Sequence, residues 1–122
     1  MRSFRVLNVT RGTVASEHTD AATSPWSRFW GLMGRKRLAD GRGLHIVPCS
    51  SIHTGFMRFD MDAVFLDRQN RVTRVVKRMR PFRVAFGHGA HSVLEFAGGW
   101  ADVAETKEGD QLEFIPMTEA GQ

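Results

Sequence analysis

The residue types best suited to chemistry are concentrated between Cys49 and Asp67, in the segment C-S-S-I-H-T-G-F-M-R-F-D-M-D-A-V-F-L-D. This segment holds the only cysteine of the chain, a histidine and three of the thirteen acids beside a strongly apolar run. Cys49 and His53 could act as a nucleophile and its base if the thiol were exposed and a nearby cation or helix N-terminus lowered its pKa. The sequence shows neither arrangement, and a lone intracellular cysteine is more often a small buried apolar residue.

The same region has the spacing His45-x-x-x-Cys49-x-x-x-His53, which could be a soft metal site. These three side chains would share one face only on a helix, and Pro48 within β-rich flanks opposes a helix there. One thiolate with two imidazoles is also a weaker zinc signal than paired Cys-x-x-Cys ligands. We therefore expect no metal and no cofactor.

Asp62 interrupts an apolar pattern that otherwise predicts a strand buried on both faces, from Met61 to Asp67. A buried carboxylate must find hydrogen-bond donors, and Arg28 is the natural partner. The pair could fix a helix to the sheet, or the arginine could grip the carboxylate or phosphate of a ligand. Glu95 raises the same question from the strand around Val93-Leu94-Glu95-Phe96.

Length and composition predict one domain over residues 1–122, because 122 residues with 42% hydrophobic content fit one core. The absence of an apolar run of about eighteen residues excludes a transmembrane helix. The alternating N-terminus does not resemble a secretory signal peptide. With a single cysteine there is no internal disulfide, so a cytoplasmic location is expected.

Positive charge is concentrated between Arg68 and Arg83, where seven basic residues occur without an acid. One interpretation is a hydrated strand lying near the acidic C-terminal third. The other is a surface for anions or nucleic acid. Phe82 is the only aromatic residue in the stretch, and single-strand binders need stacking residues, so the sequence does not favour nucleic acid as the partner.

Periodicity and turn residues predict a mainly β fold, an antiparallel sandwich or partly closed, jelly-roll-like barrel with two short helices. Strands are predicted in a hairpin at the N-terminus, after Gly43, from Met61, from Arg71 with a bulge, from Ser92 and from Gln111. One helix begins after Ser24-Pro25, where Trp26, Phe29, Trp30 and Met33 recur at helical spacing, and the other begins near Trp100. Phe82 to Gly89 is expected to be a loop.

Several motifs, taken in this order, resemble the domain-of-unknown-function 192 family over about residues 10–115. They are Arg28-Phe29-Trp30-Gly31-Leu32-Met33, Gly43-Leu44, Ile52-His53-Thr54-Gly55-Phe56-Met57, Asp62-Ala63-Val64-Phe65-Leu66-Asp67, Val93-Leu94-Glu95 with Gly98-Gly99, and Gly109-Asp110. The chain is similar to a branch with Cys-x-x-Ile-His-Thr, and it departs from the family at Asp60, where proline is usual. The resemblance implies a jelly-roll-like fold and no activity. It implies a shared surface that includes Arg28, His53, Met57, Asp62 and Glu95.

The leading functional hypothesis is a soluble binding or accessory domain with a shallow site around His53, Asp62 and Arg28, whose partner is a small molecule or a protein. The alternatives are a small hydrolase-like or thiol-dependent enzyme, and anion or nucleic-acid binding through the basic stretch. The sequence does not specify the ligand or the oligomeric state.

Overall fold

The computed structural model describes residues 2–22, 41–54 and 59–118, and these ranges contain nine strands and one short helix. The strands are β1 (Ser3–Asn8), β2 (Thr13–Ala22), β3 (Arg42–Ile46), β4 (Ser51–His53), β5 (Met61–Leu66), β6 (Val72–Met79), β7 (Val84–Phe86), β8 (Ser92–Ala97) and β9 (Leu112–Pro116). The helix is α1 (Trp100–Val103). The helix predicted after Ser24-Pro25 lies outside the described residues. No helix of the described residues is long and apolar enough to cross a bilayer.

Seven strands form one curled sheet in the order β6-β5-β8-β3-β2-β1-β9, and all neighbours are antiparallel except β2 and β3. The two ends of the sheet approach each other at a bridge between Arg71 and Gln111, where the amide of Val72 donates to the carbonyl of Asp110 at 2.8 Å. This half-barrel confirms the prediction of a mainly β, partly closed architecture. The N-terminal hairpin and the irregular pairing of β6 are confirmed as well, the latter by two register shifts against β5.

Both faces of the curled sheet are packed. An inner cluster fills the concave side with residues from both ends of the sheet: Val6, Ala15, Val64, Leu66, Val72, Leu94, Phe96 and Leu112. An outer cluster covers the convex side and includes Leu44, Ile46, Ile52, Met61, Ala63, Phe65, Ala85 and Val93. All six residues of β5 are buried because this strand supplies both clusters in alternation, as its continuous apolar pattern predicts.

A second sheet of two strands, β4 and β7, lies over the outer cluster. Ile52 and Ala85 are opposite each other and face the barrel, while their neighbours along each strand are exposed. The predicted loop from Phe82 to Gly89 is therefore wrong for residues 84–86. A strand of three residues shows no periodicity that could distinguish it from a loop, and its pairing partner lies about thirty residues earlier in the chain.

Gly87 fixes the small sheet close to the barrel. A Cβ atom at this position would lie 2.4 Å from Cδ1 of Phe65 and 2.8 Å from Cβ of Ala90. Phe65 is completely buried, so its ring has no free space into which to move. Only glycine allows the backbone at the end of β7 to approach the core this closely.

Candidate functional site

The structure describes three of the five predicted site residues. His53 is exposed at the end of β4, whereas Asp62 on β5 and Glu95 on β8 are buried. Arg28 and Met57 lie outside the described residues. The surroundings of these three residues differ greatly.

Asp62 holds three backbone amides with its carboxylate. Oδ1 accepts hydrogen bonds from the amides of Arg78 at 2.8 Å and Gly99 at 3.1 Å, and Oδ2 accepts one from Ala101 at 2.7 Å. Two of these donors belong to the first turn of α1, whose N-cap residue Gly99 has no side chain to cap it. The third fixes Arg78 in a left-handed conformation, with φ of 52°, at the irregular part of β6. Asp62 therefore joins α1 and β6 to the barrel wall.

Glu95 lies on the opposite face of the sheet from Asp62. Glu95 pairs with Ala63 of β5 and Leu44 of β3, so its side chain is on the convex side with the outer cluster. Asp62 pairs with Phe96, an inner-cluster residue, so its side chain is on the concave side. The structure thus brings Glu95 to the side that the small sheet covers, and it does not bring Asp62 there.

His53 belongs to an exposed surface built by the small sheet. In the β4–β7 pairing His53 is opposite Val84, and Ser51 is opposite Phe86. These four side chains point away from the barrel because Ile52 and Ala85 between them point toward it. We call this surface, together with the adjoining Phe82, the β4–β7 face.

Three large apolar side chains dominate the β4–β7 face. Phe82 is 74% exposed, Val84 61% and Phe86 66%. Single exposed apolar residues are common on protein surfaces, but a contiguous group of them marks a place of contact with another molecule. Val84 and Phe86 form such a group on one side of β7, and Phe82 lies at the turn that precedes the strand.

The conformation of this surface is held by Thr54. The Thr54 hydroxyl donates to the carbonyl of Arg80 at 2.7 Å and accepts from the amide of Arg83 at 2.8 Å. The amide of Phe82 donates to the carbonyl of Thr54 at 2.9 Å. These bonds hold Phe82 in a left-handed conformation, with φ of 64°, that a bulky residue adopts only when its surroundings enforce it. The turn is therefore preorganised.

Arginine side chains lie at both ends of the β4–β7 face. Nη1 of Arg74 donates to the carbonyl of Phe86 at 2.6 Å, and Nη1 of Arg83 donates to the carbonyl of Phe82 at 3.3 Å. Arg80 is exposed in the same turn. In the described part of the chain, none of these three arginines forms an ion pair; Lys77 is the member of the basic stretch that does, with Asp102 at 2.6 Å. Among residues 2–22, 41–54 and 59–118, therefore, no carboxylate neutralises these three guanidinium groups.

Cys49 is partly buried against the outer cluster, and its Sγ donates to the carbonyl of Ser51 at 3.0 Å. His45 and His53, which share its spacing in the sequence, lie on different strands in different sheets. Within residues 2–22, 41–54 and 59–118, no group of three or more His, Cys, Asp or Glu side chains is arranged to hold a metal ion.

His45 is a titratable group that the site predictions did not include. Its ring stacks on Phe114 with centroids 4.5 Å apart, and its Nε2 atom is buried without a hydrogen-bond partner among the described residues. Burial, helped by repulsion from His91, lowers the pKa of His45 to about 4. The imidazole is therefore neutral at pH 7.

This burial predicts a loss of stability in mild acid. Because the pKa of His45 is lower in the folded state than the ordinary 6.5, protonation of this side chain favours the unfolded state. The stability that the neutral, buried imidazole contributes is therefore fully present above pH 6.5, and it is lost as the pH falls toward 4. From pH 7 to pH 5 the free energy of unfolding should fall by about 2 kcal/mol more in the native protein than in His45→Phe. Urea unfolding at both pH values measures this difference. His88→Phe, at an exposed histidine, should behave like the native protein; equal losses in native protein and His45→Phe would contradict the assignment.

Sequence reasoning did not include Val84 and Phe86 among the candidate site residues, because it placed them in a loop and so assigned no direction to their side chains. The one signal that could have found them is the pattern of large, small and large residues in Val84-Ala85-Phe86. This pattern mirrors the exposed, buried, exposed order of Ser51-Ile52-His53. Three residues are too few for such a pattern to predict a strand by itself.

Comparisons with known proteins agree with the fold and the motifs. The model of the DUF192 family, described as an uncharacterised ACR, matches residues 6–114. A crystal structure of a proposed transcription regulator from Sinorhizobium meliloti 1021 is similar with a TM-score of 0.81 at 18% identity, over 93% of this chain and 92% of that one. A protein of unknown function from Novosphingobium aromaticivorans is similar with a TM-score of 0.75 at 24% identity, over 93% and 84%. No curated protein matches the sequence significantly. At these identities the two structures support the fold alone.

Proposed function

Because the chain belongs to the DUF192 family, a family without an assigned activity, we propose from its own surface that it is a binding or accessory domain for an anionic ligand. The ligand binds around His53 on the β4–β7 face. In this proposal Arg28 and Met57 add to the site, Glu95 supports it from the barrel wall, and Asp62 holds the neighbouring α1 and β6. The domain acts in the cytoplasm.

One observation carries the proposal: three exposed apolar side chains form one surface with an arginine at each end, and neither arginine is ion-paired with an acid of the described residues. Apolar contact supplies affinity, and guanidinium groups select carboxylate or phosphate. Catalysis would need a group activated for chemistry. The Cys49 thiol serves as a hydrogen-bond donor to a backbone carbonyl.

Thermal unfolding with a panel of anions tests this function. The panel contains inorganic phosphate, polyphosphate, mononucleotides, oligonucleotides, heparin and an acidic peptide. A ligand at about a hundred times its Kd adds about 2.7 kcal/mol to stability, which for a domain of this size raises Tm by roughly 10 °C. We expect at least one member of the panel to raise Tm of the native protein.

The variant Val84→Ser with His53→Ala should lose this shift while it retains the native circular dichroism spectrum, because both side chains are exposed. The control variant Val103→Ser, which removes an apolar side chain that is 69% exposed on α1, should keep the shift. A panel without any effect on Tm, or a shift that persists in the β4–β7 variant, would refute the proposed function.

A further inference from the structure

The exposed phenylalanines of the β4–β7 face have an arrangement suited to stacking. Phe86 lies on β7, next to Val84 on the same side, and Phe82 lies at the end of the strand in a turn fixed by Thr54. Neighbouring side chains on one side of a strand are about 7 Å apart; on β7 this spacing separates Phe86 from Val84, whereas Phe82 precedes the strand by two residues. Two exposed rings on a rigid surface form a platform for planar groups.

The charge around this platform selects an anion. The stretch from Arg68 to Val93 contains seven basic residues and no acid, so no carboxylate within the stretch competes for Arg74, Arg80 or Arg83. The side chains of Arg74 and Arg83 reach the two ends of the platform through bonds to the carbonyls of Phe86 and Phe82, and Arg80 is exposed in the turn beside Phe82. A ligand with negative charge on either side of a planar group therefore fits the surface.

Polar side chains on the same face distinguish a partner with hydrogen-bonding groups from a membrane. Ser51 and His53 stand directly opposite Phe86 and Val84, so hydrogen-bonding groups lie beside the rings. The edges of unpaired bases use such groups, whereas the acyl chains of a membrane leave them without partners. From the rings, the guanidinium groups and the polar pair together, we propose that the β4–β7 face binds single-stranded nucleic acid. This inference rests on the proposed binding function.

A single strand fits better than a duplex because of the shape of the surface. Bases in a duplex are stacked on each other and can be read only through a groove, which usually takes a helix or a protruding β-ribbon. The small sheet that carries the face has two strands of three residues each, and the helix of the described residues is four residues long. Strands of this length accommodate about two or three nucleotides.

Fluorescence anisotropy with a labelled twelve-nucleotide oligo(dT) and a labelled oligo(U) of the same length tests the proposal. The native protein should bind both more tightly than it binds a duplex of mixed sequence. A plot of log K against log salt concentration should have a slope of about −2, since three arginines each contribute about 0.7 with single strands.

Two pairs of variants separate stacking from charge. Phe82→Ala with Phe86→Ala should weaken binding by about tenfold or more and leave the salt slope unchanged. Arg80→Gln with Arg83→Gln should reduce the magnitude of the slope by about 1.4. The controls Val9→Ala with Val103→Ala, and Arg2→Gln with Arg5→Gln, remove exposed apolar side chains and exposed arginines elsewhere and should bind like the native protein. Each variant should retain the native circular dichroism spectrum and the native Tm, so that a change in binding is not caused by a change in folding.

Each contrary outcome has a distinct meaning. Binding that survives in Phe82→Ala with Phe86→Ala, or that is equal for duplex and single strand, would show attraction by charge alone and overturn the inference. Binding of the acidic peptide or of phosphatidylserine vesicles, lost in the phenylalanine variant while oligonucleotides do not bind, would overturn it and leave the binding function standing. If no ligand binds at the β4–β7 face, both proposals fail.

Discussion

Replacement of Asp62 by alanine is expected to lower the free energy of unfolding by about 3 to 5 kcal/mol. The substitution leaves three backbone amides, those of Arg78, Gly99 and Ala101, without their acceptor. Asp62 is completely buried, so water cannot replace the carboxylate without opening the structure. Hydrogen bonds to charged groups are worth about 1.5 to 3 kcal/mol each, and their losses here overlap because one side chain makes all three.

Urea unfolding of Asp62→Ala at pH 7 measures this loss, with Asp60→Ala as the matched control. Asp60 is exposed and lies two residues earlier, so its variant should stay within about 0.5 kcal/mol of the native protein. Asp62→Asn should fall between the two because the amide retains one acceptor oxygen. A loss below about 1 kcal/mol in Asp62→Ala would show that the carboxylate is not needed to hold α1 and β6.

Replacement of Asp110 by alanine is expected to cost about 3 kcal/mol. Oδ2 of this carboxylate accepts hydrogen bonds from Nε of Arg11 at 2.7 Å, Nδ2 of Asn8 at 2.8 Å and the amide of Lys107 at 2.9 Å. Asp110 and Asn8 are both 1% exposed. The cluster therefore ties the β1–β2 turn to the segment before β9, where the two ends of the curled sheet meet.

The stability contributed by the Asp110 carboxylate is expected to decrease in acid. Burial raises the pKa of the Asp110 carboxyl, but the hydrogen bonds from Arg11, Asn8 and Lys107 outweigh burial, and the pKa lies below the ordinary 3.8. The carboxylate therefore contributes full stability above that pH, and the contribution is lost as the pH falls through the lower folded-state pKa. The stability difference between the native protein and Asp110→Asn should shrink between pH 5 and pH 2, a different range from that of His45.

Chemical unfolding of Asp110→Ala at pH 7 and of Asp110→Asn across this pH range checks both statements. Glu113→Ala, at an exposed acid on β9, is the control and should be nearly neutral. A difference between native protein and Asp110→Asn that stays constant as the pH falls to 2 would contradict the assigned role of the charge.

Local patterns were sufficient for the parts of the fold whose contacts are close in the chain. The N-terminal hairpin needed only two β-compatible runs around Arg11-Gly12, and the β5–β6 pair needed only an apolar run followed by the turn Asp67-Arg68-Gln69-Asn70. The pairing found for these strands agrees with those predictions. The family motifs reached the same architecture by a separate route.

Distant contacts decided the roles of the candidate site residues. The sequence predicts Arg28, which lies outside the described residues, as the partner of Asp62. The donors described for Asp62 are the amides of Arg78, Gly99 and Ala101, sixteen to thirty-nine residues later. Nothing in the local pattern of β5 indicates which donors the curled sheet will bring to this carboxylate. The same holds for Asn8 and Asp110, which are 102 residues apart.

The amino-acid sequence alone determined the β class, the buried central strand, the family and the position of His53 as a candidate for function. Tertiary structure decided that residues 84–86 form a strand, that Phe86 joins Phe82 and His53 on one exposed surface, and that arginines lie at both of its ends. The physical reason is the range of the interactions. Alternation and turn chemistry act between neighbours and can be read along the chain, whereas a surface exists only after strands far apart in sequence have paired and packed.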